Sequence, residues 1–172
     1  MRNKRQKITT LFLLLCSVCL SGQNIQKSYV SRNVEGGMLY FIKPLKLSQS
    51  CNYACYFDQT IRPHNDTVSI GMTFSTKQAF KVDSIVFMNK DTIIGKNVTH
   101  LFTEQNRNKW DCRFFIIFTR KELHKIHSDE PPVLSFYGME NQNIQLKVKP
   151  NDWKKILKID RTIYNQIKLN EK

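Results

Sequence analysis

The sequence predicts a mainly β protein, an antiparallel sandwich or a barrel-like sheet, with a short connecting helix near residues 120–127 and an amphipathic C-terminal helix. Three observations support this fold class. Apolar and polar residues alternate with period two over much of residues 23–150, as in strands that bury one face. Turn-forming clusters such as "RPHND" at 62–66 and "GMENQN" at 138–143 separate the apolar runs. After Pro150 the apolar period becomes helical.

Two segments show the strand alternation most cleanly. In "TVSIGMTF" the large apolar residues occupy every second position from Val68 to Phe74, and in "NIQLKVK" they do so from Ile144 to Val148. Successive side chains of a strand point to opposite faces, so each segment presents one apolar face. Each is therefore predicted to be a strand with that face in the core.

Four further runs are rich in β-forming residues but apolar on both faces: "GGMLYFIK", "VDSIVFMN", "CRFFIIF" and "PVLSFYG". Such strands lie centrally in a sheet or are covered on their second face. We expect the C-terminal helix to provide this cover, by packing on the outer face of a sheet that includes "CRFFIIF".

A short helix is predicted in "TRKELHKIHSDEPP", residues 119–132. Thr119 and Glu122 have the spacing of a capping box, and Leu123 and Ile126 follow on one helical face. The helix is expected to run from Arg120 to about residue 127. The two prolines at 131–132 then favour an extended exit toward the next strand.

The C-terminal segment "PNDWKKILKIDRTIYNQIKLNEK" is predicted to be an amphipathic helix. At about 100° per residue its apolar side chains gather on one arc: Trp153, Ile156, Leu157, Ile163, Tyr164 and Ile167. A strand is the alternative from Ile159 onward, because the later apolar residues also share odd positions. Asp160 falls inside the apolar arc, where a carboxylate needs a partner, unless the helix breaks at Ile159 and Asp160 caps a second helix.

Residues 1–22 resemble a secretory signal peptide. A basic start, "MRNKRQK", precedes the short apolar run "ITTLFLLLCSVCL" and the small residues of a cleavage site near Gly22. We therefore expect a single extracytoplasmic β-rich domain over residues 23–172, periplasmic or secreted. A lipoprotein anchor is disfavoured, since Cys16 and Cys19 do not follow small residues. No later apolar run reaches the roughly 20 residues of a membrane span.

Three cysteines remain after the signal: Cys51, Cys55 and Cys112. If "CNYACYF" is one strand, the first two lie about 13 Å apart, too far for a disulfide, and Cys55 with Cys112 is the favoured pair. A local Cys51–Cys55 bridge becomes possible if Cys51 lies in the preceding loop. Three reduced, buried thiols are the other alternative.

The only metal-site candidate combines His124 and His127, about 60° apart around the short helix, with Asp129 or Glu130 as an oxygen ligand. It would support a metal-dependent hydrolase. Catalytic zinc usually has three protein ligands, however, and a connector pinned by two apolar residues explains the same pattern. We therefore favour the connector and expect no cofactor.

Charge favours acidic partners. The formal charge falls from +13 to +9 once the four basic residues of the leader depart, and a basic arc faces away from the apolar arc of the C-terminal helix: Lys154, Lys158, Arg161 and Lys168. This arc is a candidate contact for an anionic surface, or else an ordinary solvated face. Short catalytic motifs are missing, and the basic and aromatic residues form no nucleic-acid platform.

The expected function is a secreted or periplasmic non-catalytic binding or accessory module. Its ligand would be an anionic glycan, an envelope component or a partner protein, and the metal-dependent hydrolase is the alternative.

Overall fold

The computed structural model describes residues 25, 27–35, 37–49, 53–63, 66–138 and 142–170. The proposed signal peptide and Cys51 lie outside them. Within the described residues, ten strands and two helices follow in chain order: β1 (Tyr29–Val34), β2 (Gly37–Gln49), β3 (Ala54–Arg62), β4 (Thr67–Thr76), β5 (Val82–Met88), β6 (Thr92–Gly95), β7 (Thr99–Asn106), β8 (Lys109–Thr119), α1 (Arg120–Ile126), β9 (Val133–Gly138), β10 (Asn143–Lys147) and α2 (Pro150–Asn170).

The strands form two antiparallel sheets, which confirms the predicted fold class. The large sheet has the order β1-β2-β3-β4-β8-β7 and the small sheet the order β10-β9-β5-β6. Most pairs in the large sheet join strands that follow one another in the chain. The exception is the pair β4–β8, in which Thr67 lies opposite Thr119. Of the strands between them in the chain, β5 and β6 join the small sheet and β7 pairs with β8 at the edge of the large sheet.

The small sheet covers one half of the inner face of the large sheet. Phe136 of β9 stacks on Phe74 of β4, with ring centroids 4.8 Å apart, and meets the edge of Phe114 of β8 at 6.3 Å. Phe87 of β5 meets Phe118 of β8 in an edge-on contact at 5.7 Å. Aromatic pairs in these geometries add stabilisation beyond the area that they bury. The two sheets therefore pack as a sandwich.

Helix α1 forms where the capping box predicts it. The Thr119 side chain accepts a hydrogen bond from the Glu122 backbone N–H at 3.2 Å, and the Glu122 carboxylate accepts one from the Thr119 N–H at 2.8 Å. Leu123 and Ile126 are buried. The capping box satisfies N–H groups that a helix start otherwise leaves free, so this short helix is locally stabilised.

Helix α2 is one continuous helix, so Asp160 does not cap a second one. Its apolar arc is buried, as predicted, with Trp153, Ile156 and Ile163 almost fully enclosed. The helix contacts β2, and the Tyr29 hydroxyl of β1 forms a hydrogen bond with Gln166. Helix α2 therefore covers the half of the inner face that the small sheet leaves open.

This position corrects one prediction. We expected α2 to cover the outer face of the sheet that contains "CRFFIIF". Instead, α2 packs on the inner face of that sheet, chiefly against β2. Ile117 of β8 points outward and is 58% exposed. Apolar residues on both faces of β8 thus reflect a central position in the sheet rather than a second covering layer.

Polar contacts cross the outer face of the large sheet. Arg113 of β8 donates to Asp58 of β3 at 2.9 Å and to the Thr73 hydroxyl at 2.8 Å. Asp58 reaches over β4 at Gly71, where an added Cβ would collide with its carboxylate. Glycine at this position therefore permits an ion pair between two strands that are not neighbours.

The predicted disulfide between Cys55 and Cys112 is absent, and both are buried free thiols. Each lies opposite Phe74, one on β3 and the other on β8, so strand β4 separates them. Two strand spacings amount to roughly 9–10 Å, beyond the ~7 Å reach of a disulfide. Burial raises the pKa of the Cys55 thiol to about 12 and also raises that of Cys112, so both are protonated.

Candidate functional site

A cleft of about 540 Å³ lies between α1 and α2. From α1 it is lined by Arg120, His124 and His127, and from α2 chiefly by Leu157, Asp160, Arg161, Tyr164 and Lys168. On each helix most of these positions recur at intervals of three or four residues, so they share one face. We call this space the helix cleft.

The base of the helix cleft contains a buried histidine and a buried carboxyl group. The His127 Nε2 atom lies 3.1 Å from Asp160 Oδ2, and Asp160 is only 1% exposed. Within the part of the chain that the structure describes, neither Asp160 oxygen nor His127 Nε2 has a hydrogen-bond partner of good geometry. Leaving buried polar atoms unsatisfied costs about 1–3 kcal/mol per group.

Burial shifts both groups toward their uncharged forms. It raises the pKa of Asp160 well above its ordinary value, although the neighbouring Gln59 amide lowers it in part. It lowers the pKa of His127 to about 3, with smaller contributions from the charges of His124 and Arg161. Both shifts therefore favour an uncharged carboxyl beside a neutral imidazole over an ion pair.

Gln59 completes a buried polar cluster with His127 and Asp160. It lies on the inner face of β3, opposite Ile70, and is almost fully buried. Its amide is near enough to Asp160 to affect the carboxyl, yet neither of its side-chain polar atoms has a well-aligned partner among the described residues. Three polar side chains from β3, α1 and α2 therefore meet below the cleft.

Several contacts fix the C-terminal end of α1 and hence His127. The His127 ring meets the edge of the Trp153 ring at 5.7 Å, and Trp153 Nε1 donates to the Ser128 carbonyl at 2.8 Å. Asn89 Nδ2 donates to the Ile126 carbonyl at 2.8 Å. These bonds hold the imidazole in place from two sides.

Three cations border the helix cleft, and we call them the basic rim: Arg120, Arg161 and Lys168. Arg120 lies 3.2 Å from Asp66 and also bonds the Pro63 carbonyl, while Arg161 pairs with the exposed Asp129 at 3.0 Å. The Arg161–Asp129 pair is exposed on both sides, and such pairs contribute little, so a ligand anion can compete with Asp129. Among the described residues Lys168 has no carboxylate within ion-pair distance.

Tyr164 forms part of the cleft wall. Burial raises the pKa of its phenol to about 12, and the nearby Asp160 carboxyl adds to this effect while Arg120 opposes it. The phenol is therefore protonated at neutral pH. It supplies an aromatic surface together with one hydrogen-bond donor.

The two predicted metal-site histidines lie in the same cleft, but the predicted carboxylates do not join them. Asp129 is bound to Arg161, and Glu130 is exposed beyond it. Across the described residues no three His, Cys, Asp or Glu side chains form a group that could hold a metal ion. The structure thus provides no metal centre at this predicted position.

The predicted basic arc divides between two depressions. Lys168 borders the helix cleft, Lys154 and Lys158 border an adjoining depression of about 450 Å³, and Arg161 lies between the two. Both lysines are exposed, with no ion-pair partner among the described residues. The basic surface therefore continues from the cleft along α2.

Sequence reasoning missed Gln59, Arg120 and Tyr164 as site residues. Asp160 carried a signal, since a carboxylate in an apolar arc predicts a buried partner. No pattern in the sequence identified Gln59 as a partner, because Gln59 is far from Asp160 in the chain.

Two other depressions lie at the edges of the sheets. One of about 440 Å³ borders Tyr53 and Phe80, and one of about 650 Å³ borders Tyr56 and Asp111. Neither contains a buried, unpartnered ionisable group among the described residues. The helix cleft is distinguished by the buried polar cluster at its base, which is a feature of functional sites.

A search of protein-family models, of curated proteins and of solved structures finds no match for this chain. Neither helix of the described part has the length and apolar content needed to cross a bilayer. The function is therefore inferred from the site itself.

Proposed function

We propose that this chain is a secreted or periplasmic, non-catalytic binding module that holds an anionic ligand, such as an anionic glycan or another envelope component, against its helix pair. The observation that carries the proposal is the basic rim around the helix cleft. The signal-like leader supports the extracytoplasmic location, and an exported chain is expected to begin at Gln23 when its N-terminus is sequenced.

Electrostatics support an anionic ligand. Burial raises the pKa of the carboxyl at the base of the cleft, which reduces the negative charge available to neutralise the basic rim. Lys154 and Lys158 extend the positive surface along α2, and they have no ion-pair partner among the described residues. A concave surface of one sign raises the local concentration of opposite charge.

The protonation state of His127 favours binding over general-base catalysis by this residue. A general base works best when its pKa lies near the working pH. The pKa of His127 falls to about 3, so this imidazole is a hydrogen-bonding group near neutral pH and accepts a proton only in acid. This imidazole thus supplies a fixed dipole rather than a general base.

The test is the melting temperature of the purified chain with dextran sulfate, a soluble polyanion, compared with neutral dextran. A ligand that binds only the folded state at 100 times its Kd stabilises by about 2.7 kcal/mol, a rise of roughly 5–10 °C for a domain of this size. The rise should diminish at high salt. Neutral dextran should cause no rise.

A matched pair of variants locates the effect. The triple variant Lys154→Gln, Lys158→Gln, Lys168→Gln should lose most of the rise. The control Lys81→Gln, Lys90→Gln, Lys96→Gln removes the same charge from exposed positions outside both helices and should keep it. Equal losses in both variants, or no rise at all, would contradict the proposal. A rise with zinc that disappears in His124→Ala would favour the metal-dependent alternative.

A further inference from the structure

We infer that the helix cleft binds one amphiphilic acid, a small molecule with a single anionic group, a hydrocarbon body and a polar group at its far end. This inference rests on the proposed function, because it specifies the ligand of the same helix pair. The anion lies at the basic rim, the body lies along the wall, and the polar end reaches Asp160.

The shape of the cleft favours a small molecule over a polymer. Its volume of about 540 Å³ falls within the roughly 300–1,000 Å³ typical of small-ligand sites. From Leu157 to Lys168, α2 borders it over a length of about 16 Å at the helical rise. An extended small molecule can therefore lie along the groove between the helices.

The wall of the cleft favours a hydrocarbon body. Leu157 and the Tyr164 ring supply apolar surface on the α2 side. The methylene stems of Arg120 and Lys168 can cover the ligand while their charges stay in water, as long basic side chains commonly do. A body without charge gains most from this surface, because burying apolar area is favourable by about 25 cal/mol per Å².

The rim favours a single anion. Lys168 has no carboxylate partner among the described residues, and Arg161 is held only by an exposed pair with Asp129. A ligand anion can join Lys168 directly and compete with Asp129 for the guanidinium. Arg120 is already bound by Asp66 and the Pro63 carbonyl, so it attracts the ligand anion through its positive electrostatic potential rather than by direct contact.

The base of the cleft provides the independent indication of a ligand. Asp160 is almost fully buried and lines the cleft; His127 Nε2 lies 3.1 Å from its Oδ2, yet neither carboxyl oxygen has a well-aligned hydrogen-bond partner in the described part of the chain. Buried polar groups in native proteins are almost always paired. A hydroxyl or amide at the far end of the ligand would satisfy this carboxyl and would favour ligands that carry one.

Four matched probes test the inference by titration calorimetry on the full chain: octanoate, 1-octanol, acetate and 8-hydroxyoctanoate. Octanoate should bind once per chain. Octanol, which lacks the charge, and acetate, which lacks the body, should each bind at least tenfold more weakly. 8-Hydroxyoctanoate should bind at least threefold more tightly than octanoate, and the ring resonances of His124 and His127 should shift on its addition.

Variants assign each part of the ligand to its site. Arg161→Gln with Lys168→Gln should weaken octanoate binding at least tenfold, whereas Lys81→Gln with Lys90→Gln, exposed positions outside both helices, should change it less than twofold. All four side chains are exposed, so these variants should fold. In Asp160→Leu the advantage of the hydroxylated acid over octanoate should disappear.

The outcomes separate this inference from the proposed function. Octanol binding as tightly as octanoate would show a plain apolar patch and would overturn the inference, as would an unchanged affinity in the Arg161 and Lys168 variant. If octanoate does not bind while dextran sulfate still raises the melting temperature, the ligand class is wrong and the proposed function stands. If neither ligand acts, both are wrong.

Discussion

The two halves of the inner face of the large sheet are built differently. Under the small sheet the core is apolar, with Phe74, Phe114 and Phe136 in mutual ring contact. Under α2 the same sheet buries Gln59 against Asp160, with His127 arriving from α1. One half maximises packing, whereas the other keeps ionisable groups where burial disfavours their charge.

The contrast between the two halves supports the half under α2 as the location of the proposed binding site. Replacing a buried polar cluster with apolar residues of similar volume is often neutral or stabilising, so such a cluster is weak evidence for stability. The buried polar cluster lies at the base of the cleft between the two helices. The half of the core that is less favourable for folding is the half that faces the proposed ligand.

The largest expected effect comes from breaking the apolar half. Phe136→Ala removes a fully buried ring that contacts two other rings. Loss of the transfer energy and creation of a cavity should lower the free energy of unfolding by about 3–5 kcal/mol. Chemical denaturation checks it, and a loss below about 1 kcal/mol would show that the sheets do not pack tightly here.

Asp160→Asn tests the charge state in the polar half. Because the folded pKa of Asp160 is raised, wild-type stability falls as the pH rises above 3.8, where only the unfolded carboxyl ionises. Asparagine does not titrate, so the variant should gain stability relative to wild type above that pH, by up to about 1.4 kcal/mol per pH unit. The measurement is denaturation of both proteins from pH 3 to pH 8.

His127 contributes the opposite slope in both proteins. Its folded pKa of about 3 lies below the ordinary 6.5, so stability from this group falls as the pH drops from 6.5 toward 3. This contribution cancels to first order in the difference between variant and wild type. If the stability of Asp160→Asn relative to wild type instead declines as the pH rises, Asp160 is ionised and paired with a charged His127.

Thr119→Ala tests whether the helix cleft depends on the cap of α1. The threonine oxygen accepts the Glu122 N–H, and its loss should cost about 1 kcal/mol. Since α1 carries His127 and Arg120, ligand affinity should fall together with stability. Thr99→Ala, on the edge strand β7, is a matched control that should change neither appreciably.

Gln59→Leu should have the smallest effect on stability. Its two side-chain polar atoms lack well-aligned partners within the described part of the chain, so leucine should change the free energy of unfolding by less than about 1 kcal/mol, in the stabilising direction. Thermal and chemical denaturation provide the measurement. A loss above 2 kcal/mol would instead show that the amide makes a strong bond in solution.

The elements themselves were largely predictable because their signals are local. The alternation from Val68 to Phe74 predicted the buried face of β4, and Thr119 with Glu122 predicted the start of α1. The basic arc of α2 and the two cleft histidines were also named from spacing alone. In each case the residues that carry the signal lie within a few positions of one another.

Contacts between distant elements were not predictable in this way. The disulfide prediction failed because both cysteines lie in apolar strands, and nothing in the sequence shows that β4 runs between them. The prediction that α2 covers the outer face of β8 was wrong, because the apolar arc of α2 does not determine which face of the sheet the helix packs against. Strand order decides both questions.

By itself, then, the sequence determined the strand and helix periods, the helix cap and the basic surface of α2, since these depend on neighbouring residues. The tertiary structure alone decided that Gln59, His127 and Asp160 meet under the helix cleft. They come from three elements whose contact depends on sheet order and on the face that α2 covers. Burial at that meeting point shifts the pKa values of the carboxyl and the imidazole toward their uncharged forms, because a low-dielectric interior disfavours an isolated charge.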